Sequence, residues 1–292
     1  YRIVAKSLPS LALIEEVRRR TGTNRLMVFH QPFLNLVAAE MPDADILLGK
    51  PMPVAAMRRF HERHKPSGFD PVTQIQWLID TPERLAQYGA AAADMNRHLR
   101  VNIEIDVGLH RGGVEDQATF LAMLQTIAAD KHLTFSGVMG YDPHLASVPG
   151  LLGWQRSAIA TSRDIYRGFA EIALGHADGA SLTLNTAGSP TYRLHDEDMI
   201  ANEVSVGSAL VKPAPSRFRR RAFRSTACSA APAIRKCSTA RIWSIWSRTI
   251  MSFCARPRAN SSSCNSGTSP FTRTAPSRRA GRSSRKAREH AA

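Results

Sequence analysis

Lys6 stands directly behind a short apolar run in RIVAKS, so an amine is carried at the end of a strand-like segment near the start of the chain. Partial burial at such a position lowers the pKa of an ammonium group. The neutral, nucleophilic form needed for Schiff-base chemistry with a carbonyl compound then becomes accessible. The other short β-rich runs also finish on polar groups. His30 and Lys50 follow the second and third, Asp80 the fourth, and Asp106 the fifth, with His110 and Arg111 just beyond. Tyr141, Asp142 and His144 follow the sixth, Asn185, Thr186, Gly188 and Ser189 the seventh, and Gly207 with Ser208 falls within the eighth. One polar strand end is ordinary solvation. Convergence of several at one rim would make a reaction site, in which His144 and His30 are by position the candidate bases for proton transfer.

The elements that must bring these groups together alternate along the chain. Strand patterns cover residues 2–5, 26–29, 46–48, 74–79, 101–106, 134–141, 181–185 and 203–210. Helical patterns include 11–20, 53–64, 82–98, 115–130 and 154–174, the third opened by Thr81-Pro82 as an N-cap with proline at the first helical position. Eight strands with intervening helices predict an α/β fold, a (β/α)8 TIM-type barrel over residues 1–212, with reactive groups at the C-terminal ends of its strands. A doubly wound open sheet is the alternative, but no glycine-rich dinucleotide turn follows the first strand.

Composition divides the chain in two. Residues 216–292 hold 18 Lys and Arg against one acid, Glu289, a net +17, whereas the first 215 residues carry 21 bases and 23 acids, a net −2. The overall charge of +15 therefore describes the tail alone. That tail lacks Leu, Val, Asp, Tyr and Gln, and its Arg outnumber its Lys 16 to 2. Residues 213–292 read as an Arg/Ser-rich low-complexity segment in place of a C-terminal domain, either disordered or translated out of frame from a GC-rich coding sequence. One uninterrupted frame in the source DNA would exclude the second origin. A basic arm with Trp243 and Trp246 stacking on bases is the competing reading, but loss of every leucine disfavours a nucleic-acid partner. The four cysteines, Cys228, Cys237, Cys254 and Cys264, all lie in the tail at spacings that match no zinc or redox pattern. No apolar run is long enough to span a bilayer and no export signal opens the chain, so a cytoplasmic location without membrane attachment is expected. The first residue is Tyr1 rather than methionine, which suggests an N-terminally truncated barrel.

Four separated segments, RIVAKS, VNIEIDVGLHRGGV (101–114), FSGVMGYDPH (135–144) and TLNTAGSPT (183–191), together resemble the D-threonine aldolase and D-serine dehydratase family, pyridoxal 5'-phosphate enzymes with the alanine racemase N-terminal type of barrel. The resemblance runs from Tyr1 to about Lys212, and its most specific part is EIDVGLHRGGV. It implies that Lys6 carries the cofactor as a Schiff base and that Arg111 faces the pyridine nitrogen. A guanidinium does not give up its proton, so that nitrogen would stay unprotonated. Tyr141 would lie near the cofactor ring. Thr186, Gly188, Ser189, Gly207 and Ser208 would cradle the phosphate, Gly188 by close approach and the others through hydroxyls or the last strand.

The implied activity is lyase chemistry on small D-3-hydroxy amino acids, by aldol cleavage or dehydration, in a homodimer. An amino-acid racemase of the same barrel type and a non-catalytic pyridoxal 5'-phosphate-binding protein are the alternatives. The family's divalent metal is held by a His and a Cys from a C-terminal β-domain. No tail segment matches that context, so no metal ligand is assigned, and catalysis by this chain alone is in question.

Overall fold

The computed structural model describes residues 1–195 and 200–211. Eight parallel strands close into one barrel in chain order: β1 (Arg2–Val4), β2 (Arg25–Val28), β3 (Asp45–Leu48), β4 (Ile75–Ile79), β5 (Leu99–Ile105), β6 (Leu133–Gly140), β7 (Thr183–Thr186) and β8 (Glu203–Val206). β8 returns to β1, with Arg2 opposite Ser205 and Ile3 opposite Val206. Seven helices fill the connections: α1 (Leu11–Thr21), α2 (Gln31–Glu40), α3 (Val54–Arg63), the single turn α4 (Pro71–Gln74), α5 (Pro82–Asp94), α6 (Gln117–Ala129) and α7 (Trp154–His176). The expected barrel is therefore present, and Lys212 with the whole tail, residues 213–292, lies outside the described residues.

Local chemistry fixes the helix starts. Side chains of Ser10, Thr81 and Asp116 accept the N–H groups of Leu13, Arg84 and Thr119, satisfying donors that the first helical turn leaves unpaired. The sequence reading named no helix after β2, yet α2 forms there, capped by His30 through Nδ1 and the N–H of Phe33 at 3.3 Å. Two boundaries moved for identifiable reasons. α5 stops at Asp94 because Asn96 adopts φ 47° and the N–H of Arg97 folds back to the carbonyl of Ala92 at 2.9 Å. β8 ends at Val206, where Gly207 turns the chain into a short 3-10 segment, Ser208–Leu210.

The layer between strands and helices is apolar. Trp77, fully buried, lies 5.8 Å centroid to centroid from Phe60 and 6.0 Å from Tyr88, so this face of β4 packs against α3 and α5. The barrel interior is polar toward the N-terminal ends of the strands. Arg2, with no exposed surface, donates to both oxygens of Glu203 (2.6 and 3.1 Å) and to Asp45 Oδ2 (3.2 Å). Asn185 donates to the same Glu203 at 2.7 Å, and Gln76 reaches across to Thr183 Oγ1 at 2.8 Å. Burial alone would depress the Arg2 pKa, but the carboxylates of Glu203 and Asp45 overcome this and hold it raised. A buried cation is tolerable here because its charge and its donors are matched.

Candidate active site

β1 runs straight into a 3-10 turn, Ala5–Ser7, in which Ala5 is buried and Lys6 is exposed at the barrel mouth. Lys6 Nζ stands 4.2 Å from the centroid of the Phe29 ring. Phe29 can lie there because the next strand is followed by Gly49, where a Cβ would come within 2.3 Å of the ring. Lys6 is held below the ordinary lysine range, first by burial and then by the positive charges of Arg111 and Lys50. This is the direction that raises the share of neutral amine.

Arg111 is delivered by a loop that leaves β5 and returns to the same strand. Asp106 N–H donates to Val114 O at 2.9 Å and Val114 N–H to Glu104 O at 2.8 Å, closing the loop on itself. Inside it, Asp106 Oδ1 accepts the N–H groups of Gly108 (2.9 Å) and His110 (3.0 Å), and Oδ2 meets His110 Nδ1 at 2.8 Å. Burial alone would raise the Asp106 pKa, but the two backbone donors and the imidazole outweigh it and hold the carboxyl below its usual range. Gly113 is required at the return: its φ is +101° and a Cβ would sit 2.8 Å from the Ile105 carbonyl carbon. The EIDVGLHRGGV motif is thus a loop wound around one carboxylate. It leaves the Arg111 guanidinium 4.8 Å from the Tyr141 ring centroid and 3.8 Å from Glu104 Oε1. Glu104 is raised by burial, an effect that Arg111 opposes.

Lys6, Arg111, Tyr141, Gly188, Ser189 and Ser208 line one cavity at the C-terminal ends of the strands, with about 690 Å³ of atom-free space open to solvent. Lys50 and Phe29 line it too. The loop after β7 passes so close to Tyr141 that a Cβ at Gly188 would fall 2.5 Å from Cε2 of the ring. Ser189 Oγ accepts the N–H of Gly207 at 2.9 Å and keeps its own hydrogen for a ligand. A rim with the cations Lys6, Lys50 and Arg111, the serines Ser189 and Ser208, and a glycine where no side chain would fit suits a flat ring bearing an anionic group. It also places an amine of lowered pKa beside that ring, so the residues present fit pyridoxal 5'-phosphate.

Four of the residues expected from the sequence to act as bases or to hold the cofactor do not line this cavity, and neither do the strand-end groups Asp80, Asp106, His110 and Asp142. His30 is exposed and its ring caps α2. His144 lies beneath the β5 loop, 3.5 Å from where a Gly108 Cβ would be, and its buried Nδ1 has no partner among the described residues. Thr186 is buried and borders a separate small pocket with Asp142 and His195. Gly207 approaches β1, where a Cβ would meet Val4 at 2.7 Å, and contributes through its N–H to Ser189. Sequence reasoning passed over Phe29, which merely ends an apolar run. It also missed the polar interior, although Arg100, Asn102 and Glu104 alternate with Val101, Ile103 and Ile105 at the period of a strand with two different faces. Among the described residues no cluster of three or more His, Cys, Asp or Glu side chains could hold a metal ion, and the four cysteines lie outside them.

The closed barrel of eight parallel strands in chain order, with Lys6 just past the first of them, gives the class of fold. The family model of the alanine racemase N-terminal domain matches residues 4–215, and the chain belongs to that family. A curated relative, 3-hydroxy-D-aspartate aldolase of Paracoccus denitrificans, is 29% identical over 133 residues, 44% of this chain and 33% of that protein. Among solved structures, D-threonine aldolase from Filomicrobium marinum superposes with a TM-score of 0.57 at 19% identity, covering 71% of this chain and 54% of that one. D-threo-3-hydroxyaspartate dehydratase from Delftia sp. HT23 gives 0.53 at 19%, covering 70% and 52%. Alanine racemase of Clostridium difficile 630 gives 0.55 at 15%, covering 74% and 55%. At such identities the structural likeness concerns the fold alone. The chain spans about half the length of these solved relatives and a third of the curated one. No helix among the described residues is long and apolar enough to cross a membrane.

Proposed function

We propose that this chain binds pyridoxal 5'-phosphate covalently through Lys6 and derives from a cytoplasmic, homodimeric lyase acting on small D-3-hydroxy amino acids, of the aldolase or dehydratase type. The observation that carries this reading is the convergence of Lys6, Arg111, Tyr141 and the Gly188–Ser189 cradle on one cavity. The name of the Paracoccus denitrificans relative supports an aldolase over a racemase. When bound, the cofactor supplies an aldehyde that condenses with amines and a ring that accepts the electron pair released as a bond to the substrate α-carbon breaks.

Lys6 would hold the cofactor through its amine, whose lowered pKa favours the neutral form, and Nζ at the mouth could accept or return a proton. Arg111 orients the ring and, keeping its own proton, leaves a facing nitrogen unprotonated. Tyr141 supplies a flat wall, with the guanidinium of Arg111 on it. Ser189 and Ser208 bind the anionic group through hydroxyls. Glu104 behind Arg111 fixes the guanidinium by charge at 3.8 Å.

The test is borohydride reduction of the chain incubated with the cofactor, followed by peptide mass analysis. The expected result is a reduced pyridoxyl group on Lys6, absent in Lys6→Met. Label elsewhere, or a label that persists in the variant, overturns the assignment. With labelling established, glyoxylate or acetaldehyde released with glycine from a D-3-hydroxy amino acid supports the aldolase, a keto acid the dehydratase, and enantiomer exchange a racemase.

A further inference from the structure

We propose that Thr191, Asp142 and His195 are positioning residues that set the loop receiving the cofactor phosphate; this rests on the reading above that the Gly188–Ser189 loop is that receptor. Asp142 is 1% exposed and Thr191 is fully buried, and neither lines the cofactor cavity. Thr191 Oγ1 accepts the N–H of Gly188 at 3.1 Å and donates its single hydrogen to Asp142 Oδ1 at 2.5 Å. The second oxygen, Oδ2, is 2.7 Å from His195 Nε2, which therefore carries the donated hydrogen. The carbonyl of Gly188 accepts the N–H groups of both Thr191 and Tyr192 at 2.9 Å. Every polar backbone group of Gly188 is thus fixed by the loop's own return, and the return is anchored to one carboxylate on the neighbouring β6 loop.

Two consequences follow. Gly188 does not offer its N–H to the phosphate; it contributes only closeness, and donation falls to groups such as Ser189 Oγ. Further, Asp142 follows Tyr141 directly, so the same residue ties the ring-facing tyrosine to the phosphate-facing glycine, consistent with the contact between them. A carboxylate behind an anion-binding loop opposes the ligand by charge alone. Its presence is explained by geometry: a buried carboxylate with two short donors holds a loop more firmly than a neutral acceptor would.

This gives an experiment in which geometry and charge have opposite signs. The full chain is stripped of cofactor, and dissociation constants are measured by spectroscopic titration for pyridoxal 5'-phosphate and for pyridoxal, which lacks the phosphate. Asp142→Asn and Thr191→Val are expected to weaken the phosphorylated ligand about tenfold, the scale of one lost charge-assisted hydrogen bond, while pyridoxal stays within about twofold. Thr191→Ser should restore the wild-type ratio. Tighter binding of the phosphorylated ligand by Asp142→Asn would mean that charge alone acts, and equal weakening of both ligands would mean a merely structural role; either overturns the proposal. If Asp142→Asn does not fold, the Thr191→Val and Thr191→Ser pair decides by the same ratio. A wild type that binds both ligands with a phosphate preference while the variants match it removes the relay and leaves the cofactor reading intact. A wild type that binds neither removes both.

Discussion

Lys6 and Arg111 show how the neighbours of a residue, rather than its type, set its chemistry. A lysine after a strand is common, but the amine of this one lies over the Phe29 ring and has Arg111 and Lys50 near it. Because Arg111 is one source of its lowered pKa, Arg111→Gln should move the Lys6 pKa upward toward that of an ordinary lysine. Burial remains as the larger cause, so the return should be incomplete. NMR titration of the reductively methylated, cofactor-free protein reads this directly, and an unmoved pKa would show that Arg111 does not act on Lys6 through space. Asp106 makes the complementary case. Its folded pKa lies below that of an ordinary aspartate, so the stability it contributes is present above the unfolded value and is lost as pH falls through the lower folded one. Asp106→Asn should cost about 2 kcal/mol at pH 7, from hydrogen bonds to a charged acceptor. The difference from wild type in denaturant melts should shrink only in strong acid; a gap already closing at pH 5 would contradict the shift.

Individual elements depend on a few positions where backbone meets backbone. Gly137 lies in β6 where the register with β5 shifts, between Val101 and Asn102. Its φ is +137°, and a Cβ would stand 2.0 Å from the carbonyl oxygen of Thr183 on β7. Gly137→Ala is therefore expected to cost about 3 kcal/mol or more, or to prevent closure of the barrel between β6 and β7. Near-wild-type thermal stability of that variant would show that β6 can shift at no cost. The helices tolerate more. Salt bridges on the outer face of α1, such as Arg19 with Glu16, are exposed, and removing them should change stability little. α2 was not named from the sequence because its cap is a histidine, an uncommon choice for that position, although Pro32 in its first turn is the same start signal that Pro82 gives α5.

At the scale of the whole molecule, a buried polar cluster toward the N-terminal strand ends takes part of the interior that branched aliphatic layers usually fill in such barrels. Arg2 on β1 and Glu203 on β8 join the first and last strands by a buried ion pair, so closure of the sheet and pairing of charge occur together. Arg2→Met should destabilise by about 3 kcal/mol, since it leaves the buried Glu203 carboxylate with only Asn185 and the more exposed Arg25 as partners. Arg2→Met combined with Glu203→Leu should lose less than the sum of the two single variants. Additive losses in chemical denaturation would mean that the pair is not coupled.

The sequence by itself determined the strand and helix alternation, the identity of Lys6 as a strand-end amine, and the division between a near-neutral barrel and a strongly basic tail. These follow from short-range patterns of period 2 and 3.6 and from charge counts, which need no knowledge of distant contacts. The sequence also held the clue to the polar interior, in the alternation of Arg100, Asn102 and Glu104, but not which face was inside. Only closure of the barrel decided which strand ends meet. It brought Lys6, Arg111, Tyr141 and Ser189 to one cavity, left His30 as a helix cap, and set Asp142 behind the β7 loop through Thr191 and His195. The physical reason is that contacts between loops from different strands depend on the circumference and register of the whole sheet. No local stretch of residues encodes either.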